Sequence, residues 1–194
     1  MIHSKFVDQN IKSGKVAWGI TGSGDNIQEI MYSMKEADRR FEDVEIRAYV
    51  SKAGEQVLRM YLLWDELMTS FSNVRVEKSS NVPFLAGELQ SGRYDFLLIA
   101  PTTSNTTAKI ALGLGDSLIS NAVNMAVKAG VSVYVLPCEI GETSTETVLP
   151  NGSVLKLRIR KIDSEYIQLI EAMESVHVIS NPREIIEVFE KHYS

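Results

Sequence analysis

The sequence lacks much of what several common chemistries need. It holds one cysteine, Cys138, so no disulfide can form within the chain, and a reducing, cytoplasmic setting is expected. There are only three histidines, His3, His177 and His192. None lies near the polar loops described below, which argues against a Ser-His-Asp hydrolase and a histidine-rich metal site. No metal is expected. CxxC, HExxH, GxSxG and GxxxxGK[ST] are all missing. No apolar run reaches the ~18 residues needed to span a bilayer, and the opening MIHSKFVDQNIKSG has no signal-peptide core. A membrane partner is therefore not expected. Basic side chains form no patch. The densest group, Lys156, Arg158, Arg160 and Lys161, alternates as on one strand face in a chain of net charge −5. That pattern excludes nucleic acid from the expected partners.

What is present is an ordinary globular composition, 194 residues with 44% hydrophobic and 23% charged, enough for one domain with a proper core. Residues 1–14 read as an N-terminal arm. From Lys15 strands and helices alternate. Strand-like runs are KVAWGI (15–20), VEIRAYV (44–50), VRVEK (74–78), YDFLLIA (94–100) and VSVYVLP (131–137). Helical patterns run from a cap at Asp25 or Asn26 to about Arg40, from Ser51 onward, near Phe84 to Gln90, and up to Ala129. The alternation predicts an α/β protein: a three-layer, Rossmann-like, flavodoxin-like fold, its parallel sheet covered by helices on both faces. Residues 15–137 form its core. Residues 138–194 form a C-terminal extension on the same domain: a hairpin turning at Pro150-Asn151-Gly152, a helix from about Ser164 to Met173, and a last helix after Pro182.

Two loops stand out. WGITGSGDN (Trp18 to Asn26) and APTTSNTT (Ala100 to Thr107) both follow apolar strands, at the carboxyl ends where open parallel sheets bind ligands. In the first, Gly22 and Gly24 allow close backbone approach and Thr21 and Ser23 add hydroxyls. With the start of the next helix they form a candidate phosphate site. Dinucleotide geometry fits poorly. The third glycine position holds Ile27, and the second strand ends in Val50-Ser51-Lys52 without a carboxylate. Ser51 can instead add a further donor set. The second loop, Pro101, Thr102, Thr103, Ser104, Asn105 and Thr106, either supplies redundant helix caps at Ser104, Asn105 or Thr106 or forms an uncharged cradle for a planar ligand rich in nitrogen and oxygen. Several residues stay open between two readings: Trp18 as core or ligand neighbour, Cys138 as buried hydrophobe or reactive thiol, and Glu139 and Glu142 as solvated acids or proton carriers.

At these residues the sequence resembles the homo-oligomeric flavin-containing cysteine decarboxylase (HFCD) superfamily. The matching motifs are Pro101-Thr102-Thr103-Ser104-Asn105-Thr106 followed by Ala108-Lys109-Ile110-Ala111, Gly113, Asp116 and Leu118, then Gly19-Ile20-Thr21-Gly22-Ser23, and Ser51 in SKAGEQVL. They stand in family order and cover about 15–137. WGITGSGD, SKAGEQVLRMY and the tail from Cys138 through PNGSVLKLRIRKID to NPREI resemble the archaeoflavoprotein branch, which includes the dihydromethanopterin reductase type. This resemblance implies FMN as cofactor, a homotrimer or an assembly of trimers, and oxidoreductase chemistry with ferredoxin as electron donor and a pterin, dihydromethanopterin, as acceptor. By position it implies that Gly22, Ser23 and Ser51 hold the FMN phosphate, that Thr103, Ser104 and Asn105 lie against the isoalloxazine ring, and that Asp116 and Ser117 border the flavin or the trimer contact. The sequence departs from the decarboxylases. Residues 79–93 contain no histidine, and Pro137-Cys138-Glu139-Ile140-Gly141-Glu142 has neither a Met-Asn pair nor a tryptophan. No catalytic side chain is identified. Decarboxylation, flavin prenyl transfer and non-catalytic flavin binding remain as alternative functions.

Overall fold

In the computed structural model the described residues are 14–141 and 143–194. The expected arm lies outside them apart from Gly14, as does Glu142. The elements follow in the order β1 (Gly14–Ile20), α1 (Ile27–Arg40), β2 (Val44–Val50), α2 (Lys52–Met60), α3 (Trp64–Ser70), β3 (Val74–Val76), α4 (Leu85–Gln90) and β4 (Phe96–Thr102). After these come α5 (Ser104–Ala111), α6 (Leu118–Lys128), β5 (Ser132–Pro137), β6 (Ser144–Val148), β7 (Val154–Arg158), α7 (Lys161–Glu171), β8 (Val176–Val178) and α8 (Glu184–Tyr193).

Six strands form one parallel sheet in the order β3-β2-β1-β4-β5-β8. The strand order reverses between β1 and β4. Successive side chains leave a strand on opposite faces, and the core divides accordingly. Val16, Trp18 and Ile20 of β1, with Phe96, Leu98 and Ala100 of β4, meet α1 and α8 on one face. Ala17 of β1, with Leu97 and Ile99 of β4, meets α4 and α6 on the other. All seven residues of β4 are buried, as a central parallel strand covered on both faces requires. In α1 the buried Ile27, Ile30, Met31, Met34 and Ala37 recur at helical spacing and make one apolar stripe.

The hairpin turns where expected, with β6 antiparallel to β7 and Val148 opposite Val154. Helix α7 starts at Lys161, ahead of the expected Ser164, because Asp163 folds back to accept from the Arg160 backbone N–H at 3.2 Å and from its guanidinium. Strand β8 is absent from the sequence reading. It is three residues long and extends the sheet beyond β5. Helix α8 inserts Ile185, Val188 and Phe189 into the core that holds Trp18. So the C-terminal segment carries the hairpin outside the sheet but returns to complete it. Among the described residues no helix is long and apolar enough to cross a membrane.

Candidate functional site

Thr21 joins the two polar loops. Its backbone N–H and its hydroxyl both donate to the Pro101 carbonyl, at 3.2 and 2.8 Å. The same hydroxyl accepts from the Thr103 N–H at 2.9 Å. A buried hydroxyl used in both directions is fully satisfied, so Thr21 locks the end of β1 to the end of β4 at the point where the strand order reverses. Trp18 lies just below, 1% exposed, donating its indole N–H to the Ala100 carbonyl at 2.8 Å. Its ring meets Phe71 edge-on. Trp18 is a core residue.

A cavity of about 360 Å³ opens above this junction. Its floor and walls come from β1 (Thr21, Gly22), the start of α2 (Ser51, Lys52, Ala53), the β4 loop (Thr103, Asn105, Thr106), Lys109, the start of α6 (Ser117, Ile119) and Glu77. Glycine is needed here for closeness. A Cβ on Gly22 would fall 2.6 Å from the Ala53 Cβ, and one on Gly54 would fall 2.7 Å from the Ile20 carbonyl oxygen. Both distances are too short for carbon, so the β1 loop and the first turn of α2 can press together only because these side chains are missing. Ser51 caps α2 by accepting from the Gly54 N–H at 2.9 Å. Thr103 caps α5 by accepting from the Thr106 N–H at 3.2 Å, and its hydroxyl donates to the Thr106 hydroxyl at 3.0 Å. Ser117 and Ser120 form a capping box at the start of α6.

The helix starts facing this cavity belong to α2, α5 and α6. Helix α1 begins at Ile27 with Asn26 in a left-handed conformation and no side-chain cap. Its first turn lines a separate depression of about 280 Å³, shared with Met60, Tyr61 and the hairpin. Gly24, Asn26 and Ile27 line that depression, whereas Gly22 lines the switch-point cavity. The residues singled out in the sequence divide the same way. Thr21, Gly22, Ser51, Thr103, Asn105, Thr106 and Ser117 line the cavity. Gly24 packs against the Tyr61 ring, and the Ser23 hydroxyl accepts from the Asp25 N–H at 3.1 Å. The peptide before Pro101 is cis. Thr102 is buried and donates to the Ile99 carbonyl at 2.9 Å. Ser104 faces away and donates to Glu139 at 2.9 Å. Asp116 is exposed and pairs with Lys109 at 3.0 Å, and that ammonium holds its carboxyl below the usual range.

Behind Ser104 lies a narrow recess bordered by Thr107, Glu139, Asp163 and Ile167. Burial pushes the Glu139 carboxyl up, and its Oε2 has no hydrogen-bond partner. The Arg160 guanidinium holds neighbouring Asp163 down, donating to it at 2.6 and 2.8 Å. Cys138 is half-buried, and burial pushes its thiol up to about 12. It is therefore a thiol rather than a thiolate at neutral pH, which removes the basis for a nucleophilic reading. Among the described residues no group of three or more His, Cys, Asp or Glu side chains is placed to hold a metal ion.

Sequence reasoning missed Glu77. It tested for an acid at the end of β2 and found none. The acid at the end of β3 arrives beside that position, because the Glu77 N–H donates to the Val50 carbonyl at 2.8 Å. The available signal was a carboxylate directly after a strand of an open parallel sheet.

Fold and cavity together define the class, a doubly wound α/β protein with a polar, mostly uncharged cavity at its switch point. The chain belongs to the Flavoprotein family, which it matches over residues 5–189. It is 42% identical over 178 residues to an uncharacterized protein of Methanocaldococcus jannaschii, covering 92% of this chain and 95% of that one. It is 29% identical to dihydromethanopterin reductase (acceptor) of the same organism, over 90% and 95% of the two chains. Among solved structures it resembles Burkholderia xenovorans DmrB in complex with FMN, described as a cubic protein cage for redox transfer, with a TM-score of 0.77, 27% identity and coverage of 92% and 94%.

Proposed function

We propose that this protein is an FMN-dependent oxidoreductase of the dihydromethanopterin reductase kind, taking electrons from a ferredoxin-type donor and reducing a pterin. The observation that carries the reading is the switch-point cavity, where Thr21 ties the end of β1 to the hydroxyl and amide loop after β4, beside the glycine-tight start of α2. This donor set fits FMN. Gly22, Ser51 and the first N–H groups of α2 suit a phosphate. Thr103, Asn105 and Thr106 can hydrogen-bond ring nitrogens and carbonyls without imposing a charge. Ser23, Gly24, Pro101, Thr102, Ser104 and Asp116 would act through the residues they hold in place. Bound FMN supplies the redox chemistry, and the protein supplies orientation and polar tuning. No protein nucleophile is called for, which accords with a protonated Cys138 and with the lack of histidine in residues 79–93. The likeness to a cage-forming relative supports a homo-oligomer built from trimers.

The test is a half-reaction. Protein loaded with FMN and reduced anaerobically is mixed with a dihydropterin, and reoxidation is followed at the flavin band. Reoxidation with formation of the tetrahydropterin is expected. Loss of carbon dioxide from an acyl-cysteine substrate, with no pterin reduction, would move the assignment to a decarboxylase.

A further inference from the structure

Glu77 carries one carboxylate to the starts of two helices. Its Oε1 accepts from the Leu118 N–H at 2.7 Å, and its Oε2 accepts from the Lys52 N–H at 3.2 Å. Leu118 and Lys52 are the first residues of α6 and α2, which are 11 and 9 residues long. The leading N–H groups of a helix have no partner within it, and the positive end of the peptide dipole lies there. One acidic side chain therefore neutralises two positive helix ends. It does so inside the cavity that Gly22, Ser51 and Lys52 also line, where a phosphate would otherwise find those N–H groups.

We infer that Glu77 is an internal counter-anion that sets how strongly the site grips the phosphate end of its flavin. The inference rests on the reading of this cavity as the flavin site. When no ligand phosphate is present, the carboxylate satisfies both helix starts and keeps them together. An entering phosphate must share the positive end of α2 with it or displace it from the Lys52 N–H, and the two anions repel. The phosphate thus contributes less to affinity than the cradle would otherwise allow, and free inorganic phosphate is kept out. The flavin ring, held by the β4 loop, is unaffected. Glu77 is a specificity-determining and positioning residue that weighs FMN against riboflavin, which shares the ring and lacks the phosphate.

The experiment compares FMN with riboflavin. Dissociation constants for both are measured by fluorescence quenching on the wild type, Glu77→Gln, Glu77→Ala and Glu77→Asp. Removing the charge should tighten FMN binding on the order of tenfold, the size of one unit charge acting across several ångströms near a protein surface. Riboflavin affinity should be unchanged, and Glu77→Asp should keep the wild-type ratio. An unchanged ratio in Glu77→Gln, or equal weakening of both flavins, would overturn the inference and leave Glu77 a structural clamp. Melting temperature with and without inorganic phosphate gives an independent arm that needs no flavin. Phosphate should stabilise Glu77→Gln and leave the wild type unmoved. A phosphate-dependent rise in the wild type would contradict the inference even if the neutral variants fail to fold. If the wild type binds neither flavin, the reading of the cavity fails, and this arm still decides the role of Glu77.

Discussion

Gly22 makes room for the cavity by having no side chain. Its missing Cβ would sit 2.6 Å from the Ala53 Cβ and 3.2 Å from the Ala53 carbonyl carbon. The second obstacle is backbone, which has no rotamer to yield. Gly22→Ala should therefore push α2 off the β1 loop, costing about 1–3 kcal/mol of stability as overpacking does, and should weaken FMN binding further because the shifted helix start also lines the cavity. Denaturant unfolding and a flavin titration on the same variant check both effects. Glu139 gives a pH prediction. Burial raises its carboxyl in the folded state. The stability it contributes is full below the ordinary glutamate range and is lost as pH rises through the folded value. Asp163, held down by Arg160, acts oppositely, and its contribution is lost as pH falls. Glu139→Gln keeps an acceptor for Ser104 and carries no charge. Its melting temperature should exceed that of the wild type at pH 8, and the gap should close toward pH 4. A gap that does not change with pH would contradict this account of Glu139.

Helices α2, α5 and α6 meet at the cavity through their first turns, so their caps do two tasks. Thr103 closes α5 and lines the cavity. Thr103→Ala should cost about 1 kcal/mol, as N-cap removal does, and should also lower flavin affinity. Thr103→Ser should restore both, because it keeps the oxygen. Recovery of stability without recovery of affinity would show that the methyl group, rather than the hydroxyl, meets the ligand. This scale also shows where the sequence is readable. Apolar runs such as YDFLLIA and hydroxyl clusters such as TTSNTT mark a strand and a helix start locally, but β4 runs on through Pro101 and Thr102, and the cap of α5 is Thr103 rather than Ser104, Asn105 or Thr106. Which helix start faces which loop is a tertiary fact. Gly22 lines the switch-point cavity while Gly24 and Asn26 line a separate depression, a division that the composition of the loop does not encode. Strand β8 left no periodic trace because three residues, VHV, are too few to tell alternation from helical spacing. Glu77 was hidden because its partners, the Lys52 and Leu118 N–H groups, are 25 and 41 residues away in the chain.

At the scale of the whole molecule, one sheet orders everything. Its strand order of β3-β2-β1-β4-β5-β8 makes β1 and β4 the only sequence-distant neighbours at the centre, and their two loops become one surface. The C-terminal segment closes the far edge with β8 and one face with α8, while the hairpin and exposed Leu62, Val148 and Val154 stand clear of the core. This arrangement leaves the switch-point cavity as the place where the β1 loop, the β4 loop and the starts of α2, α5 and α6 converge. The central claim is that the cavity holds a redox-active flavin. The most direct test is the visible absorbance of the purified protein, supplied with FMN and followed anaerobically as reduced ferredoxin is added. The account predicts bands near roughly 375 and 450 nm, characteristic of an oxidised flavin, that bleach as electrons arrive. A protein that shows no flavin bands after FMN is supplied would contradict it.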